Sequence, residues 1–307
     1  MPSAIIRVPA TSANLGPGFD CLGLALAMHN EVRLEWGDHV HETHVTIGGE
    51  GACEISDEDN ATLLSLRLGL SALNLPPAPV RLAQENRIPL ARGLGSSAAA
   101  IVAGLVAARL MAGRDPLDRP WLLHNAMLIE PHPDNIAAAI YGGLTASLLI
   151  DEASVRCLPL GRPRGLRVAF AVPSYRVSTR EARAVLPQQY SREDVIFSAS
   201  RAAILVGALM SRSHDLLDEA VRDRIHTPAR AKLIDEWGRV SEAAAKAGAD
   251  GVFISGSGPT VGAFVRGGAS DARRVARAMT LAFASGGVKA KPLWPEIAAR
   301  GVEVEIH

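Results

Sequence analysis

The sequence predicts an α+β protein with two layers in each domain, and three observations support this fold class. Short β-like runs alternate with Gly/Pro turns in the first half of the chain. Residues 96–112 are apolar on nearly every helical face and are numerous enough for a buried helix. Beyond residue 165 strands and helices continue to alternate, so sheets covered by helices are expected in both halves.

The individual elements follow from hydrophobic periodicity and from the residues that end each run. Gly113 and Pro116 end the apolar helix, and Gly142-Gly143 ends a shorter one at 135–141. The first half is also expected to hold strands at 4–8, 30–36, 44–47, 80–82 and 144–150. The second half is expected to hold strands at 166–172, within 251–265 and at the C-terminus, and helices near 198–211, 229–247 and 270–285.

A linker is predicted at 151–165, because apolar periodicity lapses there and turn residues such as Pro159 and Pro163 cluster. The linker places a domain boundary near its start. We therefore expect an N-terminal domain at 1–155 that carries the glycine-rich loop described below, and a C-terminal domain at 156–307.

Charge and cysteine content exclude several classes of function. Lys plus Arg and Asp plus Glu both number 32, so no general attraction to nucleic acid or to an anionic membrane is implied. The cysteines Cys21, Cys53 and Cys157 lack the spacing of a disulfide framework or a zinc site. The N-terminus lacks the apolar core of a signal peptide, and other apolar stretches are interrupted before spanning length. We expect a cytoplasmic protein that is neither exported nor membrane-embedded.

The strongest single feature is a glycine-rich loop that leads directly into the apolar helix. Its glycines allow positive φ and close approach to a ligand, and the first helical turn offers unpaired N–H groups to an anion such as phosphate. Taken alone, a turn at the glycines with an N-cap at Ser96 would also explain the pattern. The loop is neither a Walker A sequence nor a dinucleotide fingerprint, and protein-kinase signatures are absent. Its residues are Pro89, Leu90, Ala91, Arg92, Gly93, Leu94, Gly95, Ser96, Ser97, Ala98 and Ala99.

Three segments in order, at 9–20, 89–99 and 254–260, resemble the three signatures of the GHMP small-molecule kinases. The resemblance spans almost the whole chain. It implies an N-terminal domain with the ribosomal protein S5 domain 2-like fold and a C-terminal ferredoxin-like domain, with the active site between them. It also implies that the third segment packs beside the glycine-rich loop at 89–99, which is called the phosphate loop below.

Further segments at 130–135, 178–187 and 226–230 resemble the substrate-binding motifs of the homoserine kinase branch of that family. This implies ATP-dependent phosphorylation of the side-chain hydroxyl of L-homoserine, a step of threonine biosynthesis, with Mg²⁺ as cofactor. A homodimer is expected from the resemblance alone. No nucleic acid or membrane partner is expected.

The resemblance assigns the ATP side of the site. The main-chain N–H groups of the loop would cradle the phosphates, and Glu130 with Ser97 would hold Mg²⁺, which prefers oxygen ligands. Pro131 stands where the family commonly has glycine and restricts the backbone at Glu130. Asn60 falls where the family places residues near the adenine base.

A zwitterionic substrate needs acceptors for its ammonium group and cations for its carboxylate. Among the matching residues, Arg183 and Arg230 suit a carboxylate because a guanidinium donates in a fork. The ammonium and hydroxyl are expected at Asn14, Asp20 and Asp134, and the pocket is completed by His132 and Thr179. Ordinary structural roles, such as an N-cap at Asp134 or a turn at Asp20, also fit these residue types. The residues after Arg230 include Asp235-Glu236 where the family often has a Pro-Gly turn.

The resemblance does not supply a general base. Asn135 stands at the position of the catalytic Asp of mevalonate-type relatives, and an amide cannot take a proton. The implied mechanism is direct in-line attack by the substrate hydroxyl, although Asp134 is an alternative carboxylate base. Competing functions are a GHMP kinase for mevalonate, shikimate or a sugar, a catalytically inactive nucleotide-binding regulator and, more distantly, a Rossmann oxidoreductase.

Overall fold

A computed structural model of the chain describes residues 2–151 and 154–307 and confirms the predicted α+β class. The strands within this part of the chain are β1 (Ser3–Asn14), β2 (Gly18–Glu35), β3 (His44–Gly49), β4 (Arg81–Asn86), β5 (Leu144–Leu149), β6 (Val155–Gly161), β7 (Leu166–Pro173), β8 (Gly251–Ile254), β9 (Val261–Arg266), β10 (Ala290–Leu293) and β11 (Glu303–Ile306). The helices are α1 (Ala61–Ala72), α2 (Ser96–Met111), α3 (Arg119–Met127), α4 (Pro133–Tyr141), α5 (Thr179–Ala184), α6 (Arg192–Ser211), α7 (Leu217–Ala220), α8 (Thr227–Arg230), α9 (Trp237–Lys246) and α10 (Ala269–Ser285).

The strands form two sheets. The larger sheet has the order β11-β1-β2-β4-β3. The long strand β2 also pairs with β5, and β5 in turn pairs with β6. The smaller sheet has the order β10-β7-β9-β8. Helices α2 and α4 pack on the larger sheet, and α9 and α10 pack on the smaller one. The predicted division at residues 155/156 stays a prediction, while β6 and β11 both hydrogen-bond within the larger sheet.

The first sequence signature is part of a long β-hairpin. Strand β1 was predicted to stop at residue 8, but it continues to Asn14 because the segment after Pro9 pairs with β2. The register shifts between Pro9 and Ala10 and again between Ala13 and Asn14, which bends the end of the hairpin. Asn14, Leu15 and Asp20 all adopt positive φ there. Such backbone conformations are uncommon for non-glycine residues and cluster at functional sites.

Helix α2 is the buried helix that the sequence predicts, and it lies among α1, α3 and α4 on the larger sheet. Twelve of its residues are buried, from Ala98 to Leu110, so an apolar surface on every face is expected for it. Helices α1 and α3 were not predicted from the sequence. They pack against α2, and each begins at a side-chain N-cap, Asn60 and Asp118 respectively.

The prediction of a linker at 151–165 is wrong for residues 155–161, which form β6. Residues 152 and 153 of that prediction lie outside the described residues. Pro159 suggested a turn, but β6 pairs only with β5 among the described strands, and an edge strand tolerates proline.

The prediction of one helix at 229–247 is also wrong. Helix α8 ends at Arg230, a 3₁₀ turn follows, and α9 begins only at Trp237. Ile234 is extended and buried, and Glu236 has φ 63°, so the helical path is interrupted. Glu236 occupies the left-handed conformation in which the family's glycine would be favourable. The turn therefore forms despite the Asp235-Glu236 departure.

By length and composition, α6 qualifies as a candidate membrane span, and it is the one such helix in the described part of the chain. This is weak evidence for a span, since helices of soluble proteins meet the same criterion. Arg201, in the middle of α6, donates a 3.0 Å hydrogen bond to Glu219 and stacks on Phe197.

Candidate active site

One cavity of about 430 Å³ brings together nearly all of the residues that the sequence analysis singled out. Pro89 and Ala99 do not line it. The predicted residues that do line it are Asn14, Asp20, Asn60, Leu90, Ala91, Arg92, Gly93, Leu94, Gly95, Ser96, Ser97, Ala98, Glu130, His132, Asp134, Asn135, Thr179, Arg183 and Arg230. Six segments that are distant in sequence therefore meet around a single space.

The glycine loop is held in a conformation that side chains would prevent. Gly93 and Gly95 have φ values of 75° and 73°. A Cβ on Gly93 would lie 2.1 Å from the Ser255 carbonyl oxygen, and one on Gly95 would lie 1.9 Å from Thr11 Oγ1. Gly95 is the N-cap of α2 and supplies no side-chain acceptor. The first N–H groups of α2 are thus available to an anion in the cavity.

Arg92 lies in this loop, but its guanidinium binds backbone carbonyls. It donates to Leu90 O, Pro173 O and Ser174 O at 3.0–3.1 Å. Glu50 is 3.5 Å from it. The side chain of Arg92 therefore fastens the loop to the end of β7, and its guanidinium is already engaged by protein carbonyls.

The two predicted metal ligands lie in direct contact. Ser97 Oγ donates a 2.9 Å hydrogen bond to Glu130 Oε2. Burial raises the pKa of the Glu130 carboxyl, while the Ser97 hydroxyl and the Arg183 charge oppose that shift. No group of three or more His, Cys, Asp or Glu side chains in the described residues could hold a metal by itself. A hard cation here would need oxygen ligands from phosphate and water as well.

Asp134 and Asn135 begin helix α4 beside the loop. Asp134 is 3% exposed, and burial together with the Asp20 charge raises its pKa from 3.8 to about 7. The Asn135 backbone N–H donates to Asp134 Oδ1 at 2.7 Å, which opposes this shift. The Asn135 side chain accepts a 2.8 Å hydrogen bond from the Thr11 hydroxyl.

The two predicted arginines share an aromatic neighbour. The guanidinium carbons of Arg183 and Arg230 lie 5.6 Å and 5.0 Å from the centre of the Phe19 ring, within range of cation–π attraction. Arg183 also forms a 2.6 Å ion pair with Asp20. Arg230 is 2% exposed, and burial with the Arg183 charge lowers its pKa. Two cations and a carboxylate are thus concentrated at one wall of the cavity.

The third sequence signature completes this wall. The Gly256 carbonyl accepts hydrogen bonds from Asn14 Nδ2 at 2.9 Å and from Arg230 at 3.0 Å. Ser255 Oγ donates to Gly93 O at 2.6 Å. These contacts confirm the expectation that this segment packs beside the phosphate loop. Asn14 Oδ1 accepts the Asp20 backbone N–H at 3.0 Å, so Asn14 also fixes the hairpin turn.

His132 and Thr179 are the remaining predicted substrate residues that line the cavity. Burial and the nearby Arg183 charge lower the pKa of His132. Thr179 is exposed at the first position of α5, where Ser178 and Glu181 form a capping box.

A cluster of amides lines another part of the cavity. Asn60 Oδ1 accepts from the Leu63 backbone N–H and from Gln84 Nε2, both at 3.0 Å, and Asn60 Nδ2 is buried with no protein partner. Gln84 and Asn86 were missed in the sequence, although both occupy the buried, alternate positions of β4. Polar residues at inward positions of a strand were the available signal, because such positions are normally apolar.

The start of helix α8 contributes a buried residue that sequence analysis named only as part of a segment. His226 is fully buried and lies 2.7 Å through Nε2 from the Gly16 carbonyl oxygen. Its ring stacks on Phe19 at 5.0 Å. It therefore links α8 to the hairpin turn that carries Asn14 and Asp20.

Comparisons with known proteins agree with this geometry. Residues 61–143 match the GHMP kinases N terminal domain, and residues 198–285 match the GHMP kinases C terminal domain. A homoserine kinase of Moorella thermoacetica is 43% identical over 93% of this chain and 94% of its own length. A homoserine kinase of Carboxydothermus hydrogenoformans is 40% identical over 96% and 95%.

Among solved structures, a homoserine kinase from Cytophaga hutchinsonii superposes with a TM-score of 0.86 and is 29% identical, over 99% of this chain and 97% of that one. The three proteins match this chain over 93%, 96% and 99% of its length. The chain therefore belongs to the GHMP kinase family and, within it, to the homoserine kinases.

Proposed function

We propose that this chain transfers the γ-phosphoryl group of ATP to the side-chain hydroxyl of L-homoserine, giving O-phospho-L-homoserine and ADP. The observation that carries the proposal is the composition of one cavity. Its walls contain both a glycine loop at a helix N-terminus and a charged cluster of the buried Arg230 and the half-buried Arg183 and Asp20. The first suits a triphosphate, and the second suits a small zwitterion with a carboxylate and an ammonium group.

The ATP side is proposed to act through the backbone. The N–H groups at the start of α2 would bind phosphate oxygens, and Ser96 would add a hydroxyl donor. The unpaired Asn60 Nδ2 supports a place for the adenine ring near α1, since a ring nitrogen would satisfy this buried donor.

The residues present fit Mg²⁺. Ser97 Oγ and Glu130 Oε2 are adjacent hard oxygen donors, and they would hold the ion together with phosphate and water. When bound, Mg²⁺ neutralises charge on the triphosphate.

The amino-acid side is proposed to act by charge matching. Arg183 and Arg230 would bind the carboxylate, while Asp20 and Asn14 would accept hydrogen bonds from the ammonium group. The Asp20–Arg183 pair already places opposite charges side by side, as a zwitterion requires. This arrangement favours homoserine over mevalonate, shikimate or a sugar, none of which carries an ammonium group.

We propose direct in-line attack by the substrate hydroxyl. The new bond forms between that oxygen and the γ-phosphorus while the bond to the ADP oxygen breaks, and the hydroxyl proton passes to phosphate oxygen. Asn135 can donate but cannot take the proton. Asp134 is the carboxylate that could act instead, and its replacement by Asn separates the two mechanisms: near-complete loss of turnover with normal binding of both substrates would establish a base.

Homodimerisation and a role in threonine biosynthesis are part of the same proposal and rest on the family resemblance. A cytoplasmic location is proposed from the cysteine content and the character of the apolar stretches. A catalytically inactive regulator is disfavoured by the intact glycine loop and by the Ser97–Glu130 pair.

The test is an ADP-release assay with MgATP and homoserine, mevalonate, shikimate or galactose as acceptor. We expect turnover with homoserine only. Arg183→Ala should raise KM for homoserine on the order of tenfold or more, as expected for loss of a charge-assisted hydrogen bond, and leave KM for ATP unchanged. Arg180→Ala is the matched control, because Arg180 is an exposed arginine on the same helix. Turnover of another alcohol, with homoserine inert, would refute the proposed substrate.

A further inference from the structure

We propose that Thr11 is a positioning residue, which holds the Asn135 amide with its NH₂ group toward the cavity. The inference rests on the proposed function and adds to it the orientation of a group that faces the reacting atoms. Thr11 is fully buried and does not line the cavity, so it would act through Asn135 and not on substrate. Its hydroxyl donates to Asn135 Oδ1 at 2.8 Å.

A side-chain amide can be placed in two ways that differ by exchange of its oxygen and nitrogen. Here two neighbours specify the same one. Thr11 spends its single O–H on Oδ1, and the opposite amide atom, Nδ2, lies 3.3 Å from Asp134 Oδ1. The flipped amide would put two oxygens in contact at the ionised Asp134 carboxylate, and it would turn the Thr11 hydroxyl into an acceptor whose buried proton loses the Asn135 oxygen.

The orientation decides what Asn135 offers to the cavity. Asn135 Oδ1 accepts from Thr11, and one Nδ2 hydrogen is directed at Asp134 Oδ1. The second Nδ2 hydrogen is therefore the donor that Asn135 can offer to a ligand in the cavity. A donor stabilises negative charge on a phosphate oxygen or on the attacking hydroxyl oxygen, whereas a carbonyl would repel it. Asn135 is thereby a fixed dipole beside the transferred group.

Thr11 also fixes this dipole relative to the phosphate loop. Its backbone N–H donates to Leu94 O at 3.1 Å, and the Cα hydrogen face of Gly95 lies against its hydroxyl, where a Cβ would be only 1.9 Å away. One residue thus sets the distance between the loop that holds ATP and the amide that faces the acceptor. Positioning of this kind affects the chemical step more than binding.

The experiment compares Thr11→Val, which keeps the shape and removes the hydroxyl, with Thr11→Ser, which keeps the hydroxyl. We expect Thr11→Val to lower kcat on the order of tenfold or more while both KM values stay within about threefold. Thr11→Ser should retain most of the wild-type kcat. In a double-mutant cycle, Thr11→Val should have little further effect in an Asn135→Ala background.

Equal kcat for Thr11→Val and wild type, or additive effects in the cycle, would overturn the inference. A loss confined to KM for ATP would instead assign Thr11 a role in loop structure only, which also overturns it. Absence of homoserine turnover by the unchanged chain would refute the proposed function separately. Neutron diffraction from a deuterated crystal then reads the Asn135 amide directly, and a carbonyl facing the cavity would refute the orientation without any assay.

Discussion

Replacing Asp134 with asparagine is expected to make the free energy of unfolding less sensitive to pH. The carboxyl is 3% exposed and has a pKa raised from 3.8 to about 7, chiefly by burial and then by Asp20. Because the folded state holds the proton more tightly than the unfolded state, raising the pH from about 4 to about 7 lowers stability. Below the unfolded pKa both states are protonated, and above the folded pKa the loss is complete.

The magnitude follows from the two pKa values. Linkage gives a loss of about 2 kcal/mol at pH 5 and about 4 kcal/mol at pH 8, relative to a chain whose residue 134 does not titrate. Asparagine keeps an oxygen for the Asn135 N–H and has no charge to bury. The stability of Asp134→Asn minus that of the wild type should therefore increase by about 2 to 3 kcal/mol between these pH values.

The assay is urea unfolding of wild type and Asp134→Asn at pH 5 and pH 8, without ligands. Other titrating groups, including Glu130, are present in both proteins and largely cancel in the difference. Asp57→Asn is the matched control, because Asp57 is exposed and its replacement removes the same formal charge. A difference between Asp134→Asn and wild type that is the same at both pH values would refute the reasoning.

Two further predictions address the phosphate loop and the cation. Gly95→Ala should abolish ATP binding measured by calorimetry, because the new Cβ would lie 1.9 Å from Thr11 Oγ1. Gly113→Ala has a similar positive φ but nothing within 4 Å of the added Cβ, so it should cost only about 1 kcal/mol of stability and leave ATP affinity unchanged. Glu130→Gln should raise the Mg²⁺ concentration needed for half-maximal rate on the order of tenfold, since it would remove the proposed charged ligand. Glu58→Gln, at an exposed glutamate, should not, and equal Mg²⁺ dependence of the two variants would exclude Glu130 as a ligand.

The sequence predicted the α+β class and the central helix because these depend on local patterns. An apolar surface over 96–112 favours a buried helix, and two glycines before it favour a change of chain direction. The same reasoning failed at β6, where Pro159 looked like a linker residue, because edge position is a property of the sheet and not of the segment. It failed again at Glu236, whose positive φ interrupts a run that is otherwise compatible with a helix.

Individual side-chain contacts in the cavity were also not predictable from local sequence patterns. Residue types and family signatures indicated which side chains would meet, but not which protein groups each would contact. Arg92 lies in the phosphate loop, yet its guanidinium is committed to Leu90, Pro173 and Ser174 carbonyls, which no local pattern encodes. Gln84 and Asn86 could have been noticed only once β4 was known to face them inward.

The placement of charge in the cavity explains why Asn suits position 135. Asp134 is already a buried carboxyl whose ionisation is opposed by burial and by Asp20 and Glu130. A second carboxylate at the next residue would add repulsion at short range and would raise the pKa values further. It would also place negative charge where the phosphoryl group is proposed to transfer. The Asn135 amide, held by Thr11, supplies a hydrogen-bond donor without that charge. The uncharged amide cannot act as a base, but it also does not repel the triphosphate of ATP.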